Sequence, residues 1–379
     1  MEGLAGDIGD ILLRIQPLEG EALKRFLLSA IAFLFVFDTL VFLSVVIHRL
    51  ILTRRERLYN RAYQRFTDQI VLAIYGSGDV EDPGTGLEKE ALGDVCIEIA
   101  RKFRGAEAEF AKRTALDKSV IRYYIRKTRS IFLPTKVVYY EKLAHLGVKR
   151  VKEDLRREIE KADREWAVAR LTFAYSLLVD EVGEVSFIVR SINRCGSLSF
   201  KFVEFLWFNV IDRLRNSLPD LLSLIRRELL DKEASAFVLR AFVEALGDHR
   251  LQQASGFVLE VYRKHTQDVL MRISCIRSLG NMGYEDFLEI FRENSYHEDW
   301  RVRAVICRYA YLCRYEDVIE DLIRLIGDRV YFVRINAGRS LLFFGERSRE
   351  VLNRLLHSED RFVRDMARYL LERMEVVNA

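Results

Sequence analysis

Residues 297–334 read HEDWRVRAVICRYAYLCRYEDVIEDLIRLIGDRVYFVR, one helical repeat and the start of the next. Asp299 is a side-chain acceptor placed to cap a helix N-terminus. After it, Val302, Val305, Ile306, Tyr309 and Ala310 recur at the 3.6-residue period that puts apolar side chains on one helical face. A short turn is expected around Arg314 and Tyr315. A second helix follows from about residue 316 to 326, with Val318, Ile319, Leu322, Ile323 and Ile326 inward and Gly327 at its end.

The pattern then returns. EDWRVR at 298–303 is followed by DRVYFVR at 328–334 and EDRFVR at 359–364, with weaker copies QDVLMR at 267–272 and FVLR at 237–240. Arg240, Arg272, Arg303, Arg334 and Arg364 follow one another at intervals of 30 to 32 residues. Arg170, after Asp163 and Trp166, continues the series at about twice that interval, and the copy between them, near Phe205, has lost the motif. The first helices of other units are expected to end near Gly247 and Gly280 in a left-handed cap. One such hairpin cannot bury both of its faces, whereas stacked hairpins can, so the fold class expected is an all-α solenoid.

The D-x-x-V-R block, the period of about 31 residues and the helix pairs resemble HEAT repeats, in particular the short prokaryotic kind that includes the phycobilisome-lyase type. The resemblance spans roughly residues 137–374, with good motifs after about residue 234. It implies a structural ladder of Asp and Arg between neighbouring units: Asp268, Arg272, Asp299, Arg303, Asp328, Arg334, Asp360 and Arg364. It also implies that the second helices line the inner surface. Arg226, Arg263, Arg292, Arg324 and Arg354 recur on them as a stripe suited to an anionic partner. Glu260, Glu289, Glu320 and Glu350 lie three or four residues before four of these arginines, a spacing that pairs and neutralises them within each helix.

Before the repeats, residues 26–46 read FLLSAIAFLFVFDTLVFLSVV. As a helix this stretch covers roughly 30 Å, the thickness of a bilayer's hydrocarbon core. It is too long for the apolar part of a cleavable signal, and no small-x-small cleavage site follows it. Upstream, Glu2, Asp7, Asp10, Glu19 and Glu21 outweigh Arg14 and Lys24. Downstream stand Arg49, Arg54, Arg55, Arg57, Arg61 and Arg65 against Glu56. The positive-inside rule then puts residues 1–24 outside the inner membrane and the C-terminal solenoid in the cytoplasm. Tyr59, Tyr63 and Phe66 sit among the arginines, at the level expected for anionic lipid headgroups. Asp38 lies mid-span, where an ionisable group costs at least ~2.5–3.5 kcal/mol and usually meets a partner. Two readings stand for it: contact with another protein's membrane helix, or a protonated carboxyl bonded within its own helix near Thr39 or a backbone carbonyl.

Residues 76–86, GSGDVEDPGTG, break the helical pattern and lack the Gly-Lys-Ser/Thr ending of a phosphate-binding loop. Residues 101–130 are strongly basic, facing either the anionic leaflet, an acidic partner or solvent. The division expected is therefore 1–24 outside, 25–48 transmembrane, 49–135 basic juxtamembrane helices with the loop at 76–86, and 136–379 solenoid.

With 60 Lys and Arg against 56 Asp and Glu, the formal charge is only +4, which is no footprint of a nucleic-acid binder. Cys96, Cys195, Cys275, Cys307 and Cys313 form no CxxC pair and sit in apolar helical patterns, as buried thiols of a reducing compartment do. His48, His145, His249, His265, His297 and His357 have no partner at metal-ligand spacing, and no HExxH, GxSxG or GxGxxG occurs. No metal, cofactor or catalytic residue is expected. The function expected is a non-catalytic scaffold or adaptor that recruits or regulates a membrane-associated protein. A bilin lyase-like enzyme and a receptor-like subunit are the alternatives.

Overall fold

The structure is a computed structural model. It describes the backbone of residues 2–232 and 234–378, and the side chains of Arg25, residues 29–232 and residues 234–374. The expectation for residues 1–24 as an outside segment lies beyond the described side chains. Every regular element among the described residues is helical. The chain divides into two compact units, Met1–Tyr123 and Tyr124–Ala379.

The first unit is built on one long helix, α1 (Glu2–Ile74), against which α2 (Gly86–Lys102) packs, with α3 (Ala106–Asp117) on α2. The loop at 76–86 ends in a capping box: the Thr85 hydroxyl accepts from the Glu88 N–H, and the Glu88 carboxylate accepts from the Thr85 N–H. The two halves of α1 differ. From Ser29 onward its most apolar stretch buries nothing, and Phe33, Phe35 and Phe42 are about 70% exposed (69%, 72% and 69%). Further along, where α1 packs against α2, Ala62, Phe66 and Ile70 are buried. This corrects the headgroup reading of the aromatic residues. Phe66 is wholly buried, Tyr59 donates to Asp94 (2.8 Å), and Tyr63 donates to Glu98. Arg65 pairs with Glu88 at 2.7 Å and Arg55 with Glu90 at 3.7 Å, so part of the basic cluster closes this unit. Burial, reinforced by Asp94, raises the Tyr59 hydroxyl well above its ordinary pKa, which keeps it a donor.

The second unit is a stack of helical hairpins. The short α4 (Val120–Thr128) leads into it. The first helices are α5 (Leu133–His145), α7 (Glu165–Ser176), α9 (Phe200–Arg213), α11 (Ala236–Asp248), α13 (Val269–Met282), α15 (Trp300–Tyr309), α17 (Tyr331–Phe343) and α19 (Arg361–Asn378). Between them run the second helices α6 (Lys152–Lys161), α8 (Val185–Asn193), α10 (Leu218–Ile225), α12 (Ser255–Lys264), α14 (Phe287–Asn294), α16 (Tyr315–Ile326) and α18 (Glu346–Leu355). Each first helix packs on the next, from α5 to α19. The array therefore continues without a gap through α9, where the motif is lost. Phe205 there is half exposed, while Val203, Leu206, Trp207, Val210 and Ile211 supply the buried face.

Small residues set how closely the first helices approach. Gly247 and Gly280 are not left-handed caps, as the sequence suggested, but lie inside α11 and α13. A Cβ on Gly247 would fall 2.6 Å from Cα of Ser278, and one on Gly280 would fall 2.3 Å from the Tyr309 ring. The left-handed positions are Arg250 (φ 53°) and Gly283 (φ 69°), each just beyond its helix. Side chains also reach the backbone of the neighbouring first helix: Ser278 Oγ donates to Val243 O (2.9 Å) between α11 and α13, and Asn336 Nδ2 to Ala304 O (2.8 Å) between α15 and α17.

Candidate interaction surface

The ladder residues occupy equivalent places on successive first helices. Asp268, Asp299 and Asp360 cap α13, α15 and α19, accepting from Leu270, Arg301 and Phe362 N–H at 2.9, 2.8 and 2.7 Å. Asp328 accepts from Val330 N–H at 2.8 Å, ahead of α17. Each ladder arginine donates to the carbonyl six residues before it: Arg272 to Thr266, Arg303 to His297, Arg334 to Asp328 and Arg364 to Ser358, at 2.6–3.0 Å. These carbonyls lie in the connections between hairpins, so the guanidinium clamps the path of the chain into the next unit.

The ladder that the resemblance implied is thereby corrected. Among the described residues, ladder Asp and Arg pair with one another at Arg303 and Asp328, through two bonds of 2.8 and 3.2 Å. Arg272 reaches Asn294 and Tyr262 instead, and the Arg334 guanidinium lies 4.4 Å from the centroid of the Phe362 ring. The reason is register. Asp328 stands six residues before its arginine, whereas Asp268, Asp299 and Asp360 stand four before theirs and are taken up by helix capping. Arg303 is buried, with 8% of its surface exposed, so its pair with Asp328 is formed largely out of water. Burial works to raise the Asp328 carboxyl, but the Arg303 and Val330 hydrogen bonds prevail and hold it below the ordinary Asp value.

On the second helices, two of the five stripe arginines pair with a carboxylate of the next second helix and a third pairs within its own helix. Arg226, in a π turn that continues α10, makes a bidentate pair with Glu260 of α12, Nε to Oε1 at 3.1 Å and Nη2 to Oε2 at 2.6 Å. Arg292 of α14 meets Asp317 of α16 at 3.5 Å. Arg324 pairs with Asp321 at 2.9 Å, donates to Ser295 O and stacks 3.6 Å from the Tyr296 ring centroid. Arg263 and Arg354 are exposed. Arg226 and Arg292 thus pair between hairpins and Arg324 with an aspartate of its own preceding turn, and not, as the spacing suggested, with the glutamates. Glu260 serves the arginine of the unit before it. Such exposed pairs contribute about 0–1 kcal/mol each.

Asp38 is exposed on the bare half of α1, and Thr39 beside it donates its hydroxyl to Phe35 O at 2.7 Å. Among the described residues, no group of three or more His, Cys, Asp or Glu side chains is placed to hold a metal. Sequence reasoning missed two features. Glu244 is a buried carboxylate between α11 and α13, held by Ser274 Oγ and Arg277, both at 2.7 Å. A polar groove of about 510 Å³ lies where the turns after α11, α13 and α15 converge, with Arg250, Gln252, Asn281 and Tyr311 in its wall. Its lining comes from separate hairpins, so no local motif announces it.

Residues 287–372 match the family model of HEAT repeats. That segment runs from α14 into α19 and contains the Arg303–Asp328 pair. Asp299, Arg303, Asp328, Arg334, Asp360 and Arg364 of the ladder lie inside the matched segment and Asp268 and Arg272 before it, where the hairpins continue the same stacking. No curated protein matches the chain. HEAT repeats are, in general, protein-interaction scaffolds, and α1 is the one helix among the described residues long and apolar enough to cross a membrane.

Proposed function

We propose that this chain is a single-span membrane protein whose HEAT-like hairpins form a cytoplasmic, non-catalytic scaffold that recruits or regulates a membrane-associated protein. The observation that carries the reading is the division of α1. Its apolar stretch covers nothing within the chain, yet the same helix runs on to pack against α2, with Phe66 and Ile70 buried and Tyr59 and Tyr63 bonded to Asp94 and Glu98 of α2. Cleavage as a signal would cut a helix that the first unit is folded upon. A bare apolar surface of bilayer length, fixed to a folded unit, is what an anchor requires.

The scaffold part rests on the HEAT match and on the composition of the array. Most of its recurrent polar residues are occupied by caps, backbone clamps and ion pairs, which leaves shape and exposed groups such as Arg263 and Arg354 for recognition. The test uses the full chain in its native membrane. It should resist alkaline extraction, a C-terminal reporter should be active on the cytoplasmic side, and crosslinking should capture a membrane protein. Release by alkali, or a reporter active only outside, overturns the anchor. Capture of nothing but soluble proteins overturns the partner class.

A further inference from the structure

The loop between α4 and α5 carries two adjacent apolar side chains with almost no cover. Ile131 is 89% exposed and Phe132 67%. Scattered apolar residues on a surface are ordinary, but a contiguous pair at a loop tip is not. The loop is also ordered. Ser130 N–H donates to Lys127 O at 3.1 Å, Phe132 N–H to Ser130 Oγ at 3.1 Å, and Lys136 N–H to Phe132 O at 3.2 Å. Pro134 sits in the first turn of α5 and fixes where that helix begins. The backbone therefore holds Ile131 and Phe132 outward while Leu133, next in the chain, is partly covered.

The charged residues of the segment itself are of one sign. Residues 118–140 contain Lys118, Arg122, Arg126, Lys127, Arg129 and Lys136 and no Asp or Glu. Lys118 and Lys136 pair with Asp82 and Glu158 from other segments. Arg126 and Arg129 are exposed beside the tip and Lys127 partly so, while Arg126 and Lys127 each also interact within the chain. A protein partner would need a far larger complementary surface than two convex side chains offer. A fluid bilayer closes around a convex tip, placing apolar groups at the acyl boundary and cations among the headgroups.

We propose that residues 126–132 form an interfacial membrane contact, in which Ile131 and Phe132 enter the headgroup–acyl boundary of an anionic bilayer and Arg126, Lys127 and Arg129 bind its headgroups. The proposal stands on the chemistry of this loop and not on the span of α1, so the two can fail separately. The experiment uses the full chain with Cys195→Ser, reconstituted in vesicles of phosphatidylcholine alone or mixed with phosphatidylserine. An environment-sensitive fluorophore is attached at Ile131→Cys, at Leu40→Cys in α1, or at Tyr296→Cys as an exposed control, and spin-labelled lipid serves as quencher. The label at residue 131 should be quenched and blue-shifted in the phosphatidylserine vesicles, less so in neutral ones. The effect should be lost with Arg126→Glu and Arg129→Glu together, while residue 296 stays in water. A label at 131 that remains in water on both vesicles overturns the proposal. So does quenching that ignores lipid charge and charge reversal, or equal quenching at 296. A quenched label at 131 with an unquenched label at 40 keeps this contact and removes the membrane span.

Discussion

Gly280 of α13 faces the ring of Tyr309 in α15 so closely that a Cβ would lie 2.3 Å from Cγ and 2.4 Å from Cδ1. Tyr309 is itself buried, and its hydroxyl donates to Asn281 at 2.7 Å, so the ring is held at both ends. Gly280→Ala gains up to ~1 kcal/mol of helix propensity. Overpacking against a fixed ring costs about 1–3 kcal/mol, so the net change is destabilising. A Cβ on Gly256, in the first turn of α12, would meet nothing within 4 Å, and Gly256→Ala should be neutral or slightly stabilising. Thermal melts of the two variants in detergent separate the effects. Equal melting temperatures would mean that Tyr309 yields freely.

The Arg303–Asp328 pair gives a second prediction. Removing one partner of a buried pair costs about 3–5 kcal/mol, because the other charge is left without compensation. Arg364 donates instead to the backbone carbonyls of Ser358 and Glu359, which carry no net charge to be stranded. Arg303→Ala should therefore lower stability more than Arg364→Ala. The pair is also acid-sensitive. Asp328 is held below its ordinary pKa when folded, so it stabilises the fold above the unfolded value of about 3.9. That contribution is lost as pH falls through the folded value. Denaturant titrations across the acid range should show a shallower pH dependence for Asp328→Asn than for the parent. Identical slopes would remove the pair from the acid response.

Much of the repeat was legible because the same side chains do the same local work in each unit. The arginine spacing survives in the sequence since each guanidinium binds a carbonyl at a constant offset, and the capping aspartates announce helix starts by their own chemistry. The failures share a cause. A glycine required for a left-handed turn and one required for helix contact look alike in sequence, which is why Gly247 and Gly280 pass for caps. Tyr59, Tyr63 and Phe66 beside arginines suit a headgroup layer and a helix interface equally well, and only α2 decides between them. Glu260 lies near Arg263 in the chain but is met by Arg226 through stacking, which local spacing cannot register.

The thiols offer a cleaner probe of the array. Cys96, Cys275, Cys307 and Cys313 are buried, and burial pushes Cys96 and Cys313 up to about 12 and the other two higher than an ordinary thiol. Cys195 is partly exposed, in the turn after α8, and its thiol is raised by burial and by the charge of Glu165. Since the thiolate is the reactive form, all five should react slowly in the native chain, with Cys195 first. Maleimide labelling followed by mass spectrometry should find Cys195 modified before any other. Rapid native modification of Cys275 or Cys307 would mean that α13 or α15 opens far more readily than its packing implies.

Asp38 carries the last prediction. It is exposed on a helix whose neighbouring surface is apolar, and the Thr39 hydroxyl proton goes to Phe35 O, so Thr39 has no donor left for the carboxylate. In a bilayer that arrangement favours a partner outside the chain, since a carboxylate at mid-span costs at least ~2.5–3.5 kcal/mol. Asp38→Leu removes the penalty, so insertion should be retained or improved. It should also weaken co-purification of a membrane partner while the hairpin array stays folded. Asp38→Asn keeps a polar group that can bond across helices and should retain more of the complex than leucine does. Quantitative crosslinking from parent, Asp38→Asn and Asp38→Leu membranes orders the three. If the same proteins return in the same yield from all of them, Asp38 is no recognition element and the hairpin array must supply the binding by itself.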